Sequence, residues 1–151
     1  MSDLLVPLYA LPTPPALPEG LVVRPALPPE HHVVTAFVGK HFSPGWVSEC
    51  TVALAARPAR ILIAIENGEL AGFACHDVTA RGFFGPTGVD PAKQGRGIGR
   101  HLLLRALDAL KSDGFAYAII GAAGPVDFYV KTCGAIEIPN STPGIYRGLL
   151  R

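Results

Sequence analysis

Between two apolar stretches, Phe83 to Val89 and Ile98 to Leu110, the chain carries Gln94-Gly95-Arg96-Gly97-Ile98-Gly99-Arg100. Three glycines at alternate positions are poor strand and poor helix. Directly after them Ile98, Leu102, Leu103, Ala106, Leu107 and Leu110 recur at helical spacing. The unit is therefore predicted to be strand, glycine-rich turn, helix. With side chains stripped away, the N–H groups opening such a helix can approach a large anion, and the helix dipole favours negative charge there. Arg96 and Arg100 flank the turn and add charge. A phosphate-bearing ligand is the first expectation.

Spacing narrows the ligand. A Walker A loop ends in Gly-Lys-Ser/Thr, whereas Gly97-Ile98-Gly99-Arg100-His101 offers neither the lysine nor the hydroxyl. A dinucleotide fingerprint wants G-x-G-x-x-G and an acid about 20 residues on. Gly95, Gly97 and Gly99 give G-x-G-x-G, and Tyr117 to Ile120 carries no acid.

The remainder of the chain supports one domain. Its 151 residues suffice for a single core, and 49% apolar against 17% charged residues argues against disorder. A formal net charge of +1 gives no field for nucleic acid or a membrane surface, so neither partner is expected. Cys50, Cys75 and Cys133 are widely spaced and read as reduced core thiols. With no apolar run near the ~20 residues of a membrane span and no basic leader, the cytoplasm is the expected address.

Residues 1 to 29 hold eight of the fifteen prolines. They are expected to be extended, with residues 1–20 a proline-rich arm lying along the domain or a neighbouring subunit and residues 21–151 the domain itself. Leu21-Val22-Val23 reads as the first strand. Glu30 to Phe42 and Trp46 to Arg57 read as helices separated by Ser43-Pro44-Gly45. Asn67-Gly68 between Ile61–Ile65 and Leu70–Val78 signals a hairpin, and a turn near Gly82 leads into Phe83. After the central helix, the crossover to Tyr117–Ile120 implies that this strand runs parallel to Phe83–Val89. A helix over Val126 to Thr132 stopping at Gly134 follows, then strands at Ala135–Ile138 and Ile145–Leu150.

Gln94, Gly97 and Gly99, preceded by Val89-Asp90-Pro91, match Gln/Arg-x-x-Gly-x-Gly/Ala. Here the chain resembles the GNAT superfamily, the Gcn5-related acyl-CoA acyltransferases. A second match is Phe128-Tyr129-Val130-Lys131-Thr132-Cys133-Gly134-Ala135, similar to the family's Phe-Tyr-x-Lys-x-Gly-Phe with one residue inserted before the glycine and Ala135 in place of the aromatic. The resemblance implies an α/β fold of the α+β type, a mixed, mostly antiparallel twisted sheet of about six to seven strands flanked by about four helices. It implies acetyl-CoA, or another short acyl-CoA, as cosubstrate, its pyrophosphate on the backbone of Gln94, Gly95, Arg96, Gly97, Ile98, Gly99 and Arg100. Thr87 and Val89 would run alongside pantetheine, with a bulge near Val89 aiming an N–H at the thioester.

Thioester aminolysis needs a proton for the leaving thiolate, and Tyr129 is placed to supply it as general acid. The general base is open. Phe83 to Val89 holds no acid, leaving Glu66, His76, Asp77 or relayed water, with His76 the named candidate. Glu30-His31-His32 cannot chelate, since adjacent helical residues diverge, and no metal is expected. The expected activity is N-acylation of a small-molecule amine, a peptide acceptor remaining open. The alternative is a non-catalytic acyl-CoA-binding or sensor module. The apolar arm and the Ile145-Tyr146 end leave a homodimer open.

Overall fold

The computed structural model describes all 151 residues. Its strands are β1 (Leu4–Pro7), β2 (Leu21–Pro25), β3 (Ile61–Glu66), β4 (Glu69–His76), β5 (Phe83–Val89), β6 (Tyr117–Ile120) and β7 (Ile136–Glu137). Its helices are α1 (His31–His41), α2 (Pro44–Ala55), α3 (Ile98–Ser112) and α4 (Val126–Cys133). One sheet takes the order β2-β3-β4-β5-β6-β1-β7, antiparallel throughout except that β5 and β6 run parallel. This is the expected mixed sheet with four helices.

Local chemistry explains most element ends. Ser43 caps α2 by accepting the Trp46 N–H, with Pro44 at the first helical position. Asn67 (φ 49°) and Gly68 (φ 83°) supply the two left-handed residues that a tight hairpin turn requires. Gly134, at φ 68°, ends α4 as anticipated. On α3 the stripe Ile98, Leu102, Leu103, Ala106, Leu107 and Leu110 is buried against the sheet together with Leu62, Ala64, Ala74, Phe84 and Ala118. Alternate residues of the same strands, Ile61, Ile63, Phe73 and Cys75, point the other way and pack under Val34, Val38, Cys50 and Ala53 of α1 and α2. All three cysteines are free and buried.

Three expectations need correction. The first strand is Leu4–Pro7, within the expected arm, and Leu21-Val22-Val23 belongs to the second: Leu4 and Val6 are fully buried, and β1 lies between β6 and β7. The Ile145–Leu150 strand is absent, replaced by a 3-10 turn at Gly144–Tyr146 and irregular backbone. The free edge of β6 is already paired with β1, and Gly144 (φ 61°) and Gly148 (φ 72°) hold left-handed backbone that a strand cannot contain. The bulge in β5 is at Gly85-Pro86 rather than near Val89. Val89 stays in register with Gly72, whereas Phe84 pairs with His76 and Thr87 with Ala74, leaving one extra residue on β5 between them. Pro86 has no N–H to offer the ladder, and Gly85 has φ 106°.

Gly88 locks β5 to the α1–α2 turn. A Cβ there would lie 2.7 and 2.8 Å from the Cε atoms of Phe42, whose ring stacks on Trp46 at 5.1 Å. Gly88→Ala should therefore cost about 2 kcal/mol, or about 6 °C in thermal melting. The same change in a Phe42→Ala background should cost much less. Equal losses in both backgrounds would show that the Phe42 contact is not the cause.

Candidate functional site

β5 and β6 are paired only at Phe83 with Ile119 and Phe84 with Ile120, then separate. From Gly85 onward β5 remains bonded to β4 on one side and faces an open wedge on the other. Its polar backbone alternates. The Asp90 N–H donates to Ala71 O at 2.8 Å, which makes that pair hydrogen-bonded and puts Gly88 opposite Phe73 in the same class. Thr87 and Val89 consequently turn their N–H and C=O groups away from β4 and into the wedge. Such groups can accept an extended, amide-bearing chain as an added strand.

At the mouth of the wedge lies the glycine turn. Asp90 accepts the Ala92 N–H at 2.9 Å and starts a short 3-10 turn over Pro91–Lys93 that delivers the chain to Gln94. Gly95 and Gly97 both have φ 81°, and a Cβ on either would meet nothing within 4 Å. Their role is backbone handedness, not close packing. Gly97 is the N-cap of α3 and has no side chain to cap it, so the first N–H groups of the helix are open to an anion. Gln94 donates to Val89 O at 3.4 Å and ties the turn to the wedge. Arg96 pairs with Glu66 at 2.6 Å, and Lys93 lies 3.5 and 3.4 Å from Glu66 and Glu69. Glu66 is thus the counter-ion of the basic turn. No ion pair involves Arg100, which is exposed.

Tyr129 projects from α4 toward the apex of the wedge. Its ring stands edge-on to Phe84 at 6.3 Å and to Phe128 at 5.2 Å, with only 6% of the residue exposed. Burial pushes its phenol up to about 12, with the Cys133 thiol adding a little in the same direction. The phenol therefore stays protonated throughout the working range of pH.

The other sequence candidates are placed differently. His76 lies opposite Phe84 in the β4–β5 ladder and shares its face, the α3 side. Its residue is 7% exposed and its Nδ1 is buried without a partner. Burial lowers its pKa, the Arg60 charge acting the same way while Asp113 and Asp77 oppose, so it is neutral at pH 7. Asp77 leaves strand alternation at φ 58°. It accepts the Gly82 N–H at 2.7 Å and pairs with Arg60 and Arg81, which makes it the anchor of the β4–β5 loop. No group of three metal-ligating side chains is present. A recess of about 120 Å³ lined by Val33, Val34, Ile63, Ile65 and Leu70 lies over β3 and β4, away from the β5–β6 wedge.

Polar residues from distant parts of the chain also take defined places: Asp3 accepts the Ala122 N–H at 2.8 Å, and Glu49 accepts from the Thr79 hydroxyl. The structure places Tyr146 against Gly121 and Phe83 at the apex of the wedge. Nothing local in the sequence marks these contacts: the residues come from the arm, from α2 and from the C-terminal segment, and each contact depends on the tertiary fold.

A family model described as Acetyltransferase (GNAT) family matches residues 29–135. Among solved structures, a GCN5-related N-acetyltransferase from Sphaerobacter thermophilus superposes with a TM-score of 0.73 at 22% identity, over 91% of this chain and 48% of that one. The GCN5-related glucosamine N-acetyltransferase region of a fungal multi-domain GH3 β-N-acetylglucosaminidase gives 0.75 at 18% identity, over 91% of this chain and 19% of that one. A GCN5-related N-acetyltransferase from Kribbella flavida gives 0.56 at 18% identity, over 79% and 46%. This chain spans less than half the length of these three, and at such identities the likeness is one of fold. No curated protein matches the sequence. No helix is long and apolar enough to cross a membrane.

Gly97→Glu would force a side chain onto left-handed backbone and put a carboxylate among the anion-facing N–H groups. Titration calorimetry with coenzyme A should show binding abolished, with the far-ultraviolet dichroism of the fold retained. Unchanged affinity would remove the turn from the site.

Proposed function

Because the chain belongs to the GNAT acetyltransferase family, we propose that it is an acyl-CoA-dependent N-acyltransferase, moving an acetyl or other short acyl group directly to an amine. The observation that carries the reading is the opening of β5 from β6 after Phe84, with the glycine turn at its mouth and Tyr129 at its apex. Coenzyme A, the cosubstrate, supplies the acyl group as a thioester. The residues present fit that molecule. The N–H groups of Gly95 to Arg100 suit a pyrophosphate, and the outward backbone of Thr87 and Val89 suits the amides of a pantetheine arm.

Tyr129 holds a proton at its phenol oxygen for the departing sulfur. With the phenol near 12 and a thiol of ordinary pKa about 8.5, complete transfer would run uphill by about 5 kcal/mol. Two effects reduce that cost. A thiolate leaving inside the wedge is itself desolvated, which raises the thiol pKa. The proton also needs to move only as charge accumulates on sulfur, so a positioned hydrogen bond provides most of the benefit.

Acetyl-CoA and free coenzyme A should bind in titration calorimetry with micromolar affinity, and ATP should not. Absence of binding by both CoA species would sink the reading. Once turnover of an amine is in hand, Tyr129→Phe should lower kcat about 100-fold with acetyl-CoA affinity changed by no more than about twofold. Equal kcat would remove Tyr129 from the chemistry.

A further inference from the structure

The arm between β1 and β2 has a periodicity that belongs to neither strand nor α-helix. Every third residue, Leu11, Pro14 and Leu17, is half-buried, and the pairs that follow them, Pro12-Thr13, Pro15-Ala16 and Pro18-Glu19, are exposed. A repeat of three is that of the polyproline II helix. Leu11 stands at φ −66° and ψ 137°, within that region. Local chemistry holds the rest of the segment there. Each proline fixes its own φ and keeps the residue before it out of the helical region. In the run Leu11–Pro18 only Ala16 is neither a proline nor followed by one.

One of the three faces is spent on the domain. Leu11 and Leu17 pack against the cluster that contains the α3 stripe, and Arg105 of α3 donates from Nη2 to the Pro15 carbonyl at 3.0 Å. The other two faces are free. Pro12, Pro15 and Pro18 form a ridge, with Thr13, Ala16 and Glu19 alongside it. Within Leu11–Pro18 only the carbonyls of Pro15 and Pro18 accept a protein donor, so the remaining carbonyls are acceptors available to a neighbour. Beside the first turn a crevice of about 300 Å³ opens between Pro12, Thr13 and Pro14 and the α3 residues Leu104, Asp108 and Lys111.

We propose that this segment is a docking ridge for a partner protein whose groove is lined with tryptophan and tyrosine rings. Flat rings suit the pyrrolidine ridge of Pro12, Pro15 and Pro18, and an indole N–H or phenol O–H supplies the donors that the free carbonyls lack. The short Thr13 and Ala16 leave the second face open to the groove wall, and the crevice over Leu104 admits a ring at the edge. Other partners match less well. The exposed faces carry no lysine or arginine for a phosphate backbone or an anionic membrane. Prolines without an N–H cannot extend a strand ladder. The ridge is already ordered against α3, so docking loses little chain entropy. It lies along Leu104 to Lys111, the later part of α3, and leaves the Gly97 end uncovered. A partner on the ridge and a ligand in the wedge therefore do not compete.

The test passes the full chain over two immobilised probes, an SH3 domain and a WW domain, and reads surface plasmon resonance. Each domain with its groove tryptophan replaced by alanine is the blank. At least one intact domain should bind with micromolar affinity and its blank should not. The triple variant Pro12→Ala, Pro15→Ala, Pro18→Ala should bind at least about tenfold more weakly. Ala16→Glu keeps every proline and changes one exposed side chain, so it should fold even where the triple variant does not, and it should lose binding too. Val52→Ser, at an exposed apolar position on α2, should bind as wild type does. Absence of binding by both intact domains, or equal affinity in wild type and the folded ridge variants, would overturn the inference. So would a wild type that sediments as a dimer and becomes monomeric in the ridge variants, because the ridge would then be covered by a second copy of this chain.

Discussion

Two residue pairs, Phe83 with Ile119 and Phe84 with Ile120, are all that join β5 to β6, and the working geometry follows from their number. Were the ladder longer, the outward N–H groups of Thr87 and Val89 would be spent on β6. Were it absent, the sheet would divide and Tyr129 would lose its place beside Phe84. The parallel sense of the pair also matters. It obliges the chain to cross from the end of β5 back to the start of β6, and the connection is α3, whose N-terminus therefore emerges at the mouth of the wedge. Anion site and open strand edge are consequences of one topological fact.

The bulge at Gly85-Pro86 sustains this arrangement from the other side. One extra residue on β5 lets Phe84 stay in register with His76 while Thr87 meets Ala74, so the strand turns away from β6 without leaving β4. The Thr87 hydroxyl donates to Phe73 O at 3.0 Å and fastens the strand just past the bulge. Gly88, under the Phe42 ring, then brings the α1–α2 turn down onto the same strand.

Much of this was legible in the sequence because its signals are local. Asn67-Gly68, the stripe on α3, the alternating glycines and the stop at Gly134 each depend on a handful of neighbouring residues, and the structure keeps them all. What eluded the sequence depends on partners far along the chain. Leu4-Leu5-Val6 becomes an interior strand next to the sheet edge only because β6 and β7 are there to pair with it, and its proline-rich setting argued merely for an extended segment. The bulge could be expected from Gly85, Pro86 and Gly88, but its position is a matter of register with β4, which composition does not encode. Among the site residues, the turn and Tyr129 belonged to recognisable motifs. Elsewhere, the contacts of Asp3 with Ala122 and of Tyr146 with Gly121 belong to no motif and arise only through tertiary folding.

The placement of β1 bears on how the molecule is made. Leu4 pairs with Ile120 and Pro7 with Tyr117, contacts that span most of the chain length, while the β3–β4 hairpin and the α1–α2 pair need only their immediate neighbours. Folding should therefore begin among the local pairs in the middle of this segment, and β1, although it precedes them in sequence, is among the last to find its position, because loop closure of that length is slow to be rewarded. Until α3 and β6 are in place, the apolar Leu4, Val6 and Leu8 have no core to enter. The wedge is thus completed late in folding, when β1 closes over the outer edge of β6.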